Sequence, residues 1–245
     1  MKRMLSLFLA ISLLFVCVMP LSSCGGTEDS EGTDGLAYSL SLDGTYCVSV
    51  GDATEASKIV IPSEHNGIKV TVIDPHGFEK CTALKTIIIP ESVEFIGFYA
   101  FYGCTELTSV TIPDSVTVIG EYAFYGCKGL TSLTIPDSVT RIGFCAFYGC
   151  KGLTSLTIPD SVTTISDHAF DGCTGLTSVT IPDSVTTIGR YAFYGCKGLR
   201  SVTFANTIGW KAGDMLTLLP SALADASTAA TYLTDNYINF EWTRK

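Results

Sequence analysis

His168 and its two neighbouring aspartates are the residues of this chain that most resemble an acid–base cluster. Asp167 precedes the histidine and Asp171 follows it three positions later. A histidine beside carboxylates can exchange protons with a substrate. However, the sequence contains no glycine-rich phosphate loop, nucleophile elbow or paired metal motif. We therefore predict no catalytic residue, no cofactor and no metal site. If the protein were an enzyme, His168 would have to be at the centre of its active site.

The cysteines are the second set of residues that could do chemistry. The chain has ten cysteines, and six of them recur 23 residues apart, at Cys81, Cys104, Cys127, Cys150, Cys173 and Cys196. A glycine immediately precedes five of them, and Lys80 precedes Cys81. We predict that this turn places the six inward as small buried apolar residues; disulfide bridging and metal binding are the alternatives. Cys145 stands in a column of Tyr and His, and we expect it to be partly exposed.

An aspartate also recurs in four successive blocks, directly after the Ile-Pro pair. This column consists of Asp114, Asp137, Asp160 and Asp183. We expect each carboxylate to accept backbone hydrogen bonds within its own turn, and a weak calcium ladder is the alternative.

Aromatic residues fill the columns that vary between blocks. One column reads Tyr102, Tyr125, Tyr148, Asp171 and Tyr194; the next reads Tyr99, Tyr122, Cys145, His168 and Tyr191; the third reads Phe98, Glu121, Phe144, Asp167 and Arg190. Rows of Tyr and Phe on a rigid surface are typical of protein interfaces. We predict a binding surface formed by the aromatic members and Arg190. The alternative is that the rings shield the turns and stack on one another.

The constant period of 23 residues predicts a repeat solenoid, in which equivalent side chains form columns. In a representative block, Thr108–Ile112 alternates polar and apolar residues as a strand does, and Val116–Ile119 is a second extended piece. The Ala-Phe-x-Gly-Cys string predicts one helical or 3₁₀ turn that closes the coil. Short parallel strands should pair between coils. The exposed Ser and Thr positions of the first strand then form a polar face, which we interpret as solvated, with a glycan-binding or ice-binding face as alternatives.

Both ends of the array need a cap. We predict an N-terminal cap over 37–57, the repeat array over 58–204 and a C-terminal cap over 205–245. In the first coil, five extra residues lie around Glu64–Lys69. The C-terminal region has helical composition from residue 221 to 237, with Ser227 as a candidate N-cap.

The first 23 residues are predicted to be a secretory leader. Lys2 and Arg3 precede an apolar run of 15 residues, which is too short for a comfortable membrane span. Residues 21–24, Leu-Ser-Ser-Cys, resemble the bacterial lipobox, which implies lipidation at Cys24; a soluble secreted protein is the alternative. Residues 24–36 are glycine-rich and acidic and predict a flexible tether. We expect an exported protein that is held on the membrane only by this lipid, at the cell surface.

The net charge of −9 narrows the possible partners. Cleavage of the leader would remove two of the 15 basic residues and none of the 24 acidic ones, which leaves a charge near −11. Nucleic acid requires clustered Lys and Arg. The charge therefore excludes nucleic acid as a partner.

The recurring strings Ile-Pro-Asp-Ser-Val, Ala-Phe-x-Gly-Cys and Gly-Leu-Thr-Ser resemble the BspA-like leucine-rich repeat family of bacterial and protist surface proteins. The resemblance covers about residues 58–204 and implies a leucine-rich-repeat fold. It also implies adhesion to proteins of a host or a partner cell, without catalytic residues. We expect a protein partner on the host matrix or a neighbouring cell. A glycan-binding module and a structural spacer without a ligand are the alternatives.

Overall fold

The computed structural model describes residues 32–213 and 216–244. The predicted leader, Cys24 and most of the predicted tether lie outside these residues. No helix within the two described ranges is long and apolar enough to cross a membrane.

The described chain begins with a β-hairpin. Strand β1 (Ala37–Leu40) pairs antiparallel with β2 (Tyr46–Ser49). At the turn, the Asp43 carboxylate accepts a hydrogen bond from the backbone N–H of Thr45 at 3.0 Å. The other edge of β2 pairs in parallel with the array. The hairpin therefore covers one end of the solenoid.

Seven short parallel strands form the first side of the array, called ladder A. They are β3 (Lys58–Val60), β6 (Thr86–Ile88), β8 (Ser109–Thr111), β10 (Ser132–Thr134), β12 (Ser155–Thr157), β14 (Ser178–Ile181) and β16 (Ser201–Phe204). Equivalent residues pair in register, as Ser132 does with Ser155. The central residue of each strand points into the core, and the flanking Ser and Thr are mostly exposed. The repeat solenoid predicted from the sequence is confirmed.

The second side, ladder B, also consists of parallel strands in register. They are β5 (Ile68–Ile73), β7 (Phe95–Ile96), β9 (Val118–Ile119), β11 (Arg141–Ile142), β13 (Thr164–Ile165) and β15 (Thr187–Ile188). The five extra residues of the first coil form a hairpin in which β4 (Glu64–His65) pairs with β5. Asn66 and Gly67 both have positive φ, as a tight hairpin turn requires. The Asn-Gly pair was a signal in the sequence for this hairpin.

The third side of each coil, called the turn side, contains the Ala-Phe-x-Gly-Cys string. Bonds of the i→i+3 type recur along it, such as Ala123 N–H to Gly120 O and Cys127 N–H to Phe124 O. They are 3₁₀-like turns, but they do not join into a helix, because Tyr122 and Gly126 have positive φ. The turns also bond to the next coil, since Phe124 N–H donates to Ala146 O at 2.8 Å. Every side of a coil is thus hydrogen-bonded to its neighbour.

A column of phenylalanines fills the centre of the solenoid. Phe78, Phe101, Phe124, Phe147, Phe170 and Phe193 are all fully buried. Neighbouring rings stack with centroids 5.0–5.5 Å apart. One leucine and several Val and Ile side chains from the strands surround the rings in each coil. The core is therefore a continuous apolar rod.

The C-terminal cap continues the hydrogen bonding of the last coil with antiparallel strands. Strand β19 (Trp242–Arg244) pairs with β15 and with β17 (Trp210–Ala212), which also pairs with β18 (Leu216–Thr217). Trp210 and Trp242 are each 1% exposed and pack against Phe204. Arg244 forms an ion pair with Asp183 at 2.6 Å. The two tryptophans extend the core beyond the last phenylalanine.

Helices cover ladder A at this end. They are α1 (Pro220–Ala224), α2 (Ala226–Thr231) and a π-helical turn (Tyr232–Asn236). Helix α2 packs against β16. The predicted N-cap was wrong, because the Asp225 carboxylate, not Ser227, accepts the hydrogen bond from Thr228 N–H at 2.8 Å. The hydroxyl of Ser227 donates to the same carboxylate, and these bonds lower the pKa of Asp225 to about 2.

We predict that Phe147→Ala destabilises the whole array. The ring lies between Phe124 and Phe170, so its loss leaves a cavity that both neighbours line, and the expected cost is about 3–5 kcal/mol. Urea unfolding followed by circular dichroism measures this cost. The control is Thr134→Ala on the exposed face of ladder A, which should change stability by less than about 0.5 kcal/mol. Equal unfolding midpoints for the two variants would contradict the role of the phenylalanine column.

Candidate functional site

Two of the three predicted aromatic columns lie side by side on the turn side. The column of Tyr99, Tyr122 and Tyr191 has left-handed backbone, with φ between 57° and 58°. His76, Cys145 and His168 occupy the same column with φ between 52° and 61°. Residues other than glycine rarely adopt this conformation. The backbone of the column is therefore set by the coil and is the same whichever side chain it carries.

The tyrosine rings of these columns stack between coils. Ring centroids are 4.6 Å apart for Tyr99 and Tyr122, and 4.9 and 4.5 Å apart along the row from Tyr102 through Tyr125 to Tyr148. The two columns also touch each other, as Tyr122 and Tyr125 do at 5.9 Å. Tyr194 is 47% exposed, and the other rings are partly buried. We call this surface the aromatic face: Tyr99, Tyr102, Tyr122, Tyr125, Tyr148, Tyr191 and Tyr194.

The third predicted column lies between the aromatic face and ladder B. Phe98 is 44% exposed, and Glu121 and Arg190 are exposed as well. Phe144 packs its edge against Tyr122 at 5.2 Å and against His168 at 5.9 Å. The structure therefore joins Phe144 to the aromatic face through direct ring contacts.

The pattern changes at the coil that contains His168. His168 Nδ1 lies 2.8 Å from Asp171 Oδ2, whereas Asp167 turns away and accepts a hydrogen bond from the backbone N–H of Arg190. Of the three residues that resembled an acid–base cluster, only two are in contact. Burial raises the pKa of Asp171, and the bond to His168 partly opposes this shift.

Cys145 is buried, so the predicted partial exposure was wrong. It is 6% exposed, between Tyr122 and His168 in its column. Both neighbours in the column carry a larger side chain than Cys145 does. Burial, together with the charge of Asp171, raises the pKa of its thiol to about 11. The thiol is therefore protonated at neutral pH and is a poor nucleophile.

Sequence reasoning missed Arg141 on ladder B. Its Nε donates to Ser166 Oγ at 3.1 Å, and Ser166 stands where other coils have glycine, at Gly120, Gly143 and Gly189. Two departures from the repeat thus contact each other across adjacent coils. The signal in the sequence was a single arginine in a column that otherwise contains Phe95, Val118, Thr164 and Thr187.

The six repeating cysteines are buried and free, as predicted. Each thiol after the first donates a hydrogen bond to the phenylalanine carbonyl of the preceding coil, at 3.0–3.2 Å. The prediction of a purely apolar role therefore missed a polar contact. Burial raises the pKa of Cys127, and that of Cys150 to about 12.

The carboxylates of the aspartate column do not accept backbone hydrogen bonds within their own turns, contrary to expectation. In the described ranges, no backbone N–H donates to the carboxylates of Asp114, Asp137 or Asp160. The turn is closed instead by the hydrogen bond from Val116 N–H to Pro113 O, and Ser115 Oγ donates to Val93 O of the preceding coil. No group of three potential metal ligands occurs among the described residues.

Comparison with known families matches this chain to the BspA type leucine-rich repeat region, with six copies that together span residues 52–212. The chain belongs to this family. The match covers every coil of ladder A. Most of the N-terminal cap, up to residue 51, and most of the C-terminal cap, from residue 213, lie outside it. None of the curated proteins compared with the chain matches it.

Three solved structures are similar to this chain. A T. pallidum leucine-rich repeat protein is 29% identical with a TM-score of 0.62, over 69% of this chain and 78% of that one. A leucine-rich repeat protein from Bacteroides ovatus is 32% identical with a TM-score of 0.63, over 72% of this chain and 48% of that one. A leucine-rich cell surface protein from Faecalibacterium prausnitzii is 30% identical with a TM-score of 0.52, over 73% and 55%. The chain spans about half the length of the last two proteins.

We predict that the thiol of Cys150 stabilises the array as a hydrogen-bond donor. Serine retains a donor and alanine does not, and the two differ only by the hydroxyl. Cys150→Ser should therefore be more stable than Cys150→Ala by about 1 kcal/mol, because Phe124 O keeps its second donor. Urea unfolding midpoints of the two variants measure the difference. The opposite order, with alanine more stable, would show that the column is purely apolar.

Proposed function

We propose that this chain is a surface-exposed, non-catalytic scaffold that binds a protein partner on a host matrix or a neighbouring cell through its aromatic face. The observation that carries the proposal is the row of partly exposed tyrosines, held at fixed spacing by a rigid array. Aromatic side chains with little conformational freedom lose little entropy on binding and offer a large contact area. The stacking of the rings on one another also supports the turns, and the two roles are compatible, because the outer edges of the rings face solvent.

Membership of a repeat family supports the scaffold part of this proposal. Leucine-rich repeats are a scaffold that is generally non-catalytic, and a fold of this type does not by itself define a ligand. The similar protein from Faecalibacterium prausnitzii is described as a cell surface protein. The predicted leader and the lipobox-like string support the same location.

The surface of ladder A provides a matched comparison for the aromatic face. Its exposed Thr134, Thr157 and Thr180 stand at the same spacing as the tyrosines, on another side of the same coils. A partner that recognises aromatic rings should not respond to changes there. A glycan that lies along hydroxyl rows should respond to these changes first.

We predict that the triple variant Tyr125→Ser, Tyr148→Ser, Tyr194→Ser loses partner binding by at least about tenfold, because three rings each contribute roughly 0.5–1.5 kcal/mol. Purified extracellular-matrix and bacterial surface proteins, immobilised as a panel, are the test partners. The control is Thr134→Asn, Thr157→Asn, Thr180→Asn, which should bind as the wild type does. Both variants are first checked for an unchanged circular dichroism spectrum.

Three outcomes of this panel would contradict the proposal. Unchanged binding by the folded tyrosine variant would exclude the aromatic face. Loss of binding only in the threonine variant, with retention on carbohydrate arrays, would favour the glycan-binding alternative. Absence of saturable binding to any partner by the wild type would favour a structural spacer.

We also propose that Cys24 carries the lipid that anchors the protein. Cys24→Ser should move the protein from the membrane fraction to the soluble fraction, and it should abolish incorporation of an alkyne-labelled fatty acid. Cys17→Ser, within the apolar run of the leader, is the control and should change neither result. An unchanged membrane fraction in the Cys24 variant would refute the anchor without affecting the binding face.

A further inference from the structure

The row that begins at Tyr102 lacks a ring at one coil, and one coil before Tyr102 the same position is occupied by Glu79. Tyr102, Tyr125 and Tyr148 stack in sequence, the next position is Asp171, and Tyr194 follows it. Adjacent coils are spaced like paired strands, so the positions on either side of Asp171 are separated by roughly 9–10 Å. The row therefore contains a gap that is one ring wide. We call this gap the Asp171 slot.

The base of the slot is a buried carboxylate with one free oxygen. Asp171 is 7% exposed, and its Oδ2 is bonded to His168 Nδ1. Within the described part of the chain, Oδ1 has no hydrogen-bond partner. A Cβ built on Gly195 of the next coil would lie 3.6 Å from Oδ1, so this oxygen faces the backbone of Gly195, which has no side chain to pair with it. Because so little of Asp171 is exposed, its charge is poorly solvated, and this burial raises the pKa of the carboxyl group.

The walls of the slot are aromatic. Tyr148 stacks on Tyr125 with one ring face, and its other face is directed along the row toward the slot. Tyr194 stands at 78° to Tyr191, whereas the corresponding pairs in earlier coils are inclined by 52° and 44°. The ring of Tyr194 is therefore oriented differently from the equivalent rings of earlier coils, and the residue is 47% exposed.

We propose that the Asp171 slot binds the guanidinium group of an arginine side chain on the protein partner. This inference rests on the proposed function and names the chemistry that the partner must present. A planar cation fits a gap that is one stacked ring wide, and guanidinium stacks on aromatic faces. Its N–H groups can donate to Asp171 Oδ1 while the ring of Tyr148 covers one face of the plane. The ion pair would form where the carboxylate is already largely removed from water.

Other ligand groups fit the slot less well. A neutral ring would stack on Tyr148 but would leave the buried carboxylate without a counter-charge. An ammonium group would pair with Asp171, but as a compact point charge it does not fill the space of a ring or stack on it. The combination of a buried anion and an aromatic wall thus favours arginine over both.

The direct test uses Nα-acetyl-arginine methylamide as the probe and the full chain as the receptor. Titration followed by NMR should show saturable shifts of the His168 ring protons. The citrulline analogue, which has the same shape without the charge, should bind at least about tenfold more weakly, and the lysine analogue should also bind more weakly. Equal affinity for the arginine and citrulline probes, or no saturable shift with arginine, would overturn the proposal.

The repeat itself supplies the variant for this test. Asp171→Tyr restores the residue that other coils carry and fills the slot, so it should fold and yet bind the arginine probe at least about tenfold more weakly. Asp171→Asn keeps the shape of the side chain, removes its charge and should weaken binding similarly. The control Asp137→Asn removes an exposed carboxylate on another part of the same array and should have no effect. Wild-type affinity in both Asp171 variants would overturn the proposal.

The same variants separate this inference from the proposed function. If the tyrosine triple variant loses the protein partner and Asp171→Tyr does not, the aromatic face binds without the slot and only this inference falls. If neither variant changes binding to the partner, both fail. We expect the tyrosine triple variant and Asp171→Tyr both to lose binding to the partner. Asp171→Asn, the conservative change, should not restore it.

Discussion

Register between identical coils is the constraint on which this structure depends. Ladder A and ladder B pair each residue with its equivalent one coil away, and the turn side adds bonds such as Phe101 N–H to Ala123 O. Since every coil uses its neighbour to satisfy its backbone, a free end would expose unpaired groups. Both ends are accordingly closed by non-repeating chain. Thr33 bonds to both the N–H and the carbonyl of Val60 at one end, and Ile238 O replaces the missing coil for Tyr191 N–H at the other.

Once register is fixed, each column has to satisfy the same local geometry in every coil. The column of Tyr122 shows the cost, because left-handed backbone is unfavourable for a residue with a Cβ. The same backbone aims the ring outward while the following alanine turns inward, where it is fully buried. Stacking at 4.6 Å and the bond from Tyr122 N–H to Phe144 O offset part of that cost. The proposed binding face and the stability of the turn side therefore depend on the same residues.

The sequence predicts the structure of the repeated positions well, and the structure of residues that depart from the repeat poorly. A period of 23 residues is enough to predict the solenoid, the two strands per coil and the buried cysteines, because these follow from identical neighbours. The depth of Cys145 could not be predicted, since it depends on the larger rings on either side. Asp225 was not predicted as an N-cap because residues of helical composition stand on both sides of it. In the structure, one helix ends before Asp225 and the next begins after it. The antiparallel pairing of β19 with β15 could not be predicted either. It joins residues far apart in the sequence, such as Ile188 and Trp242, which are 54 positions apart, and β19 lies outside the repeat.

Departures from a repeat are informative because the other coils show what the scaffold requires. Tyrosine occupies the position of Asp171 in four other coils and Glu79 occupies it in the first, so the scaffold does not require a carboxylate there. The substitution costs a stacked ring and places a charge where burial raises its pKa. His168, itself a departure, bonds to one oxygen of Asp171 and offsets only part of this cost. We infer that a residue which weakens the array and is only partly compensated within it serves the interaction proposed above, and the free oxygen of Asp171 is the group available to make it.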